Sequence, residues 1–392
     1  MMCEMRRFAA GVAVAGLCGL SAASVHGQAT SGRAATAAPK QVMAEDVFKN
    51  VQQLRGIPVG EFWDTMGFIS AALGANCVHC HVESSLNSLE KFAEDTPRKR
   101  RAREMIAMVK AINTTHFGGA RVVTCNSCHN GEIRPQPVPS LLKQYSLPVE
   151  DPNIVEIVPG TTGPTATDIL NKYVAAVGGA ERLARLTSFV AKGTYQGFDT
   201  YDQPVPYEVF AKAPNQRTVV VHTQNGDNTT VFDGRTGWVA AVDKPIPLLP
   251  LSPGGELDGA QFEAILSFPA SIATALTGWR AGFPTTSIDD RNVRIIQGTG
   301  ASGARTKLFF EDGSGLLVRV VRYTNTVIGI VPTQIDYADY REVLGVKMPF
   351  KTIVTWTSGQ GTIELSDVQP NAAIEPARFG MPAPAVLKKI SR

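Results

Sequence analysis

"GANCVHCHVE", residues 74–83, decides how the first third of the chain can fold: Cys77 and Cys80 stand three apart and His81 follows at once. The pattern returns in "VTCNSCHNGE", with Cys125, Cys128 and His129. Cysteines at i and i+3 share one side of a helical turn, about 5–6 Å apart at Cβ. Two thiols so placed can reach two points on one flat ligand, and the next imidazole can reach its centre. CxxCH therefore encodes covalent haem c attachment and proximal iron ligation together. With 6 Cys and 6 His in 392 residues, one such pentapeptide arises by accident only about once in a thousand sequences.

Cysteine use points the same way. Cys3 and Cys18 lie near the N-terminus, and the other four all belong to the two motifs. None remains for a structural disulfide. A zinc centre is the competing reading, but 44 residues separate Cys80 from Cys125. A zinc ribbon wants about 15–20, and zinc would leave both histidines without a role. A dithiol redox site belongs in a βαβ setting that these motifs lack.

The N-terminus reads as an export signal over residues 1–27. Arg6 and Arg7 precede an apolar run, and "SVHGQA" offers small residues for cleavage after Gly27. The expected location is the periplasm, with retention of the run as a membrane anchor as the alternative. Net charge is +3 and charged residues make up 19%, which gives no case for nucleic acid as a partner. The 44% apolar content supports a buried core.

A flexible leader spans 28–42. Helical spacing of Val47, Val51 and Leu54 predicts a first helix stopped by Gly56. A second runs from near Pro58 to Gly74, with Phe62, Met66, Ile69 and Leu73 on one face. A third starts at Thr96 as N-cap and Pro97 as first helical residue, with Met105, Met108 and Ile112 sharing a face. Its opening run, Arg98 to Arg103, reads either as a solvated face or as contacts to haem propionates or an acidic partner. Residues 43–134 form the expected dihaem domain.

Seven prolines between Pro135 and Pro164 mark 135–165 as an extended linker without helix. From 166 to 385 the texture becomes β. One amphipathic helix, "DILNKYVAAVGGAERLARL", leads into many short apolar runs. Asn225-Gly226, Asp233-Gly234 and Asp312-Gly313 supply hairpin turns. A helical insertion, "AQFEAILSFPASIATALTG", interrupts them, and residues 386–392 form a tail. The fold class is α+β multidomain: a helical haem domain, then an antiparallel curled sheet or half-barrel with helices on one face.

The sixth iron ligand is open from pattern alone. Met66 precedes the first motif; Met105, Met108 and His116 precede the second. Each helical Met could equally be core filler. His79 and His222 carry no strong ligand signal.

"VFKNVQQLRGIPVGEFWDTMGFISAALGANCVHCH", "RAREMIAMVKAINTTHFGGARVVTCNSCHNG" and "PVP" together resemble the photosynthetic reaction centre cytochrome c subunit family over about residues 43–139. The resemblance implies Met66 as distal ligand of the first haem and Met105 of the second, with Met108 or His116 as alternatives there. It implies two covalent haem c groups, single-electron transfer, and redox donor and acceptor proteins associated with a membrane. Reaction-centre members carry four haems, whereas this chain has two motifs and a β-rich region. "ILNKYVAAVGGAERLARLTSFVAKGT", "VFAKAPNQ" and "FDGRTGWVA" resemble a periplasmic lipoprotein-carrier half-barrel, implying a hydrophobic ligand or a protein docking there. No catalytic constellation stands out. The competing functions are a dihaem peroxidase or oxidoreductase with one open iron, and a hydrophobic-ligand carrier with an attached redox module.

Overall fold

Proline and glycine set the bounds of the helices that carry the site. In the computed structural model, which describes residues 38–146, 153, 162–283 and 285–388, α1 is Ala44–Val47 and α2 is Val59–Leu73. Pro58 enters α2 in extended conformation, and Gly74 ends it at φ 58°. A Cβ at Gly74 would lie 2.1 Å from the Gly131 carbonyl, so glycine also permits that close approach. Helix α3 is Pro97–His116, and the Thr96 hydroxyl accepts from the Lys99 backbone N–H at 3.0 Å. Helix α4, Cys125–His129, is the second motif itself. The export signal, most of the leader and most of residues 147–161 lie outside the described residues.

The first predicted helix is far shorter than its spacing suggests. Only Ala44–Val47 is helical. Asn50 takes the left-handed region at φ 62°. Cations of α3 bind the extended chain here: Arg103 takes the Asn50 carbonyl, which a helix would give to Leu54, at 3.2 Å, and Lys110 binds that of Gln53 at 2.5 Å. The proline-rich stretch also differs from expectation. It holds a one-turn helix, α5, Leu141–Tyr145, capped by Ser140.

The amphipathic helix before the sheet is two helices, α6 (Ala166–Ala176) and α7 (Ala180–Arg185). Gly178 and Gly179 break it, at φ 136° and 80°, and a Cβ on Gly178 would meet the Gly345 carbonyl at 2.6 Å. The strands are β1 (Ser188–Gly197), β2 (Val205–Lys212), β3 (Gln216–Thr223), β4 (Gly226–Phe232), β5 (Gly237–Ala240) and β6 (Leu249–Pro250). After α8 (Gly255–Leu266) come β7 (Thr277–Arg280), β8 (Thr286–Ile288), β9 (Arg291–Thr299) and β10 (Arg305–Glu311). The last four are β11 (Leu317–Asn325), β12 (Ile330–Val343), β13 (Val346–Trp356) and β14 (Gly359–Pro370).

They form one antiparallel, curled and unclosed sheet in the order β6-β5-β4-β3-β2-β1-β14-β13-β12-β11-β10-β9-β7, with β8 on β9. The first strand pairs with the last, Phe189 opposite Pro370, which joins the two halves. Alternation along β2 buries Val205, Tyr207, Val209 and Ala211. These pack with Ile169, Leu170 and Tyr173 of α6 and Phe262 of α8 in the main core. Strand β10 breaks the alternation with contiguous Leu308, Phe309 and Phe310, because both of its faces are covered. Leu308 and Phe310 join the main core, and Phe309 joins a second cluster with Val293 and Val321.

The helical segment packs on this sheet. Phe68 and Ala72 of α2 and Ile106 of α3 share a cluster with Ile328 and Val331 at the β11–β12 turn. Gly329 makes the seat, since a Cβ there would come 2.2 Å from the Phe68 ring. The tail is tied down as well: Lys388 N–H donates to the Asn225 carbonyl at 2.8 Å. Among the described residues no helix is long and apolar enough to cross a membrane.

Candidate haem sites

Helix α2 is apolar on two flanks for two reasons. Thr65, Phe68 and Ala72 are buried toward the sheet. Phe62, Met66, Ile69 and Leu73, about a quarter turn away, line a cavity together with Cys77, Cys80 and His81. Its volume is about 1130 Å³, open solvent at the mouth included. Phe48 stacks on Phe62 at 4.9 Å and meets Trp63 edge-on at 5.7 Å, closing one wall. The opposite wall comes from α3, through Lys99, Ala102, Arg103 and Ile106.

The first motif is a single 3-10 turn, with the His81 N–H donating to the Cys77 carbonyl at 3.0 Å. The start of α3 clamps it. The Thr96 hydroxyl donates to the Cys80 carbonyl at 2.5 Å, and Arg98 donates to that of His79 at 3.1 Å. The His81 ring stands edge-on to Phe92 at 4.9 Å. Burial, then the Lys99 ammonium, hold His81 below the ordinary imidazole pKa, which favours the neutral form that ligates iron. The Phe92 carbonyl opposes this, although Nδ1 makes no hydrogen bond of good geometry.

The second motif is built differently. Ser127 accepts the Thr124 N–H at 3.0 Å to start α4, and Asn130 ends it in left-handed conformation. His129 Nδ1–H donates to the Glu132 carbonyl at 3.0 Å, which leaves Nε2 with its lone pair. The Gly131 N–H donates to the Ala72 carbonyl at 2.9 Å, so the motif is docked on the end of α2. Upstream, buried Asn113 donates to the Val123 carbonyl at 2.7 Å and accepts from the Val122 and Val123 N–H groups. Cys125 is buried in the α2–α3 cluster, while Cys128 is exposed.

Met66 is thus on one cavity with its motif. Met105 and Met108 lie about 110° and 170° around α3 from the cavity-lining face, and His116 follows on their side. Met105 is half-buried; Met108 and His116 are exposed. Phe117, Val122 and Ile133, flanking the second motif, are exposed apolar side chains too. His79 is half-buried, with its Nδ1 3.4 Å from Arg98 Nη1. His222, on β3, is flanked by Glu208 at 3.3 Å and Asp227 at 3.1 Å.

The donor set fits haem c. Each motif has two thiols and an imidazole able to present a neutral nitrogen, and the first cavity is lined mainly by apolar side chains. Among the described residues no three His, Cys, Asp or Glu side chains are gathered closely enough to hold a metal ion by themselves. The two motifs are therefore not pooled into one tetrahedral centre. Sequence spacing marked Val51 and Leu54 of this wall as apolar but gave no place to Phe48 and Phe92, whose one signal is an aromatic side chain among polar neighbours.

Comparison with known proteins adds an independent finding. Residues 19–151 match the family model described as photosynthetic reaction centre cytochrome C subunit. The reaction center cytochrome c subunit of Thermochromatium tepidum is 33% identical over 98 residues, 24% of this chain and 23% of that one. The Rubrivivax gelatinosus subunit is 33% identical over 100 residues, 24% of this chain and 25% of that one. The chain thus spans about a quarter of the length of these relatives. Among solved structures, a LolA superfamily protein from Nitrosomonas europaea aligns with TM-score 0.39 at 16% identity, over 56% of this chain and 98% of that one. An outer membrane lipoprotein-sorting protein domain from Vibrio parahaemolyticus aligns with TM-score 0.37 at 11% identity, over 54% and 97%. Motifs, supporting helices and match coincide on one stretch: residues 19–151 are similar in sequence to the photosynthetic reaction centre cytochrome c subunit family.

Proposed function

We propose that the chain is an exported dihaem c-type cytochrome that passes single electrons between redox proteins in the periplasm. The observation that carries this is the gathering of Met66, Cys77, Cys80 and His81 on one mainly apolar cavity. Cys77 and Cys80 would hold the first haem through thioethers, and His81 and Met66 would ligate its iron. Cys125, Cys128 and His129 would hold the second, with Met105 as distal ligand and Met108 or His116 as alternatives. Bound haem supplies a one-electron iron couple. The chain's part would be to hold the rings, supply ligands to each iron and exclude water, so that an electron could pass without bond-making on a substrate. Residues 43–134 form the redox module and 166–385 a module on which it packs, with donor and acceptor proteins as partners.

The test is an optical redox titration, with mass measurement, of protein matured by haem-attachment machinery. Two added haem masses and two low-spin, methionine-ligated spectra are expected. Bare-protein mass and no Soret band would sink the reading. The exposed flank of the second motif favours one rival, a peroxidase or oxidoreductase with an open iron. Carbon monoxide binding to the reduced protein would select it. The sheet face that carries the main core has a pocket of about 750 Å³, open solvent at the mouth included, lined by Phe189, Tyr207, Val209, Met348 and Val354, with Arg217 and Glu263 among the polar groups. Lipid co-purifying with the full chain would favour the carrier reading.

A further inference from the structure

The basic run at the start of α3 is not one surface. Arg101 is 72% exposed and pairs with Glu104. Lys99 and Arg103, one turn apart, point instead into the first cavity, with side chains only 13% and 14% exposed. A buried cation is costly unless an anion answers it. Only part of that answer is in place. Arg103 Nη1 meets Asp95 Oδ1 at 2.8 Å, and Lys99 Nζ stands 3.9 Å from the same oxygen. That oxygen also accepts from Asn50 at 2.9 Å. Lys99 otherwise binds the carbonyls of Phe92 at 2.6 Å and Glu94 at 3.2 Å, and Arg103 that of Asn50 at 3.2 Å. Two cations thus converge on one carboxylate, leaving one positive charge in surplus on the wall of a mainly apolar cavity.

We infer that Lys99 and Arg103 seat the carboxylate groups of the first haem and that their surplus positive charge raises the potential of that iron. The inference rests on the dihaem reading above. It assigns the two side chains to the ring's anionic edge rather than to an acidic partner protein, because their heads are shielded from a partner's surface. Ferric haem carries one more positive charge than ferrous haem. A nearby cation in a water-poor site therefore disfavours the oxidised form. Arginine adds a fork that matches a carboxylate, which lysine cannot reproduce.

The experiment is a redox titration of the mature dihaem protein beside the variants Arg103→Gln, Arg103→Lys and Lys99→Met. In Arg103→Gln one of the two waves should fall by about tenfold in its equilibrium constant, about 59 mV for one electron, with the other wave unmoved. Lys99→Met should move the same wave downward, and Arg103→Lys should move it less than Arg103→Gln. Both waves unchanged in Arg103→Gln and Lys99→Met, with two haems attached, overturns the inference and leaves the dihaem reading standing. Wild-type protein lacking haem on Cys77 and Cys80 removes that reading instead. Should the variants fail to mature, resonance Raman of the wild type reads the propionate bending bands directly. Hydrogen-bonded bands that shift in heavy water support the seat, and bands of free propionates at both haems overturn it.

Discussion

The same pentapeptide occurs twice in this chain and meets two different surroundings. The first copy is a 3-10 turn opening on a cavity walled by α2, α3 and residues 48–54. The second is a short helix on the end of α2 with exposed apolar neighbours. At the first site the His81 ring is packed against Phe92; at the second the His129 ring is held by a hydrogen bond to the Glu132 carbonyl. The lesson is a division of labour. CxxCH sets two thiols and an imidazole side by side, whereas the walls around it set water access, charge and the basicity of the imidazole.

The largest expected effect comes from removing attachment at one site at a time. Cys77→Ala with Cys80→Ala should lose one haem mass and destabilise the helical segment by roughly 3–5 kcal/mol, the scale of losing a large buried ring. Cys125→Ala with Cys128→Ala should also lose one haem but cost about 2 kcal/mol less, because its surroundings are more open. Denaturant melts followed at the remaining Soret band compare them. Equal losses would break the contrast between an enclosed and an open site.

A smaller effect should be confined to the second site. Asn113→Ala strips partners from the Val122 and Val123 N–H groups and the Val123 carbonyl. The expected cost is about 1–3 kcal/mol, with the spectrum of the second haem broadened and that of the first unchanged. Nuclear magnetic resonance of the haem methyl groups would separate the two, and equal disturbance of both would contradict the division.

The smallest effect concerns the flank of α2 that faces the sheet. Burial raises the pKa of Glu61, opposed in part by Arg121 and the Val327 backbone. A carboxyl whose folded pKa is raised contributes stability that is full below its unfolded value, about 4.3. That contribution is lost as pH rises through the folded value. Glu61→Gln should therefore gain on the wild type between pH 4 and pH 8, by under about 1 kcal/mol. Melting curves at the two pH values check it, and a gain at pH 4 that vanishes at pH 8 would reverse the sign.

Much of this molecule is legible along the chain. The two motifs, the bounds of α2 at Pro58 and Gly74, the cap at Thr96 and the change to β texture after residue 166 are all local signals. Each depends on residues within a turn or two of one another. What failed was equally specific. Val47, Val51 and Leu54 have helical spacing, yet Asn50 turns left-handed between them and Arg103 takes its carbonyl. One long helix became α6 and α7, because Gly178 must pass close to the Gly345 carbonyl.

By itself the sequence determined that two thiols and an imidazole stand together twice at fixed spacing, since CxxCH is a local pattern. Only the tertiary structure decided which flank of α2 meets the cavity and which meets Ile328. Both flanks are apolar, and hydrophobic burial has no direction until a second surface is there to receive it. It also decided that Lys99 and Arg103 turn inward while Arg101 stays in water. Their charge is identical in the sequence, and only their place around α3, set against the cavity, separates them.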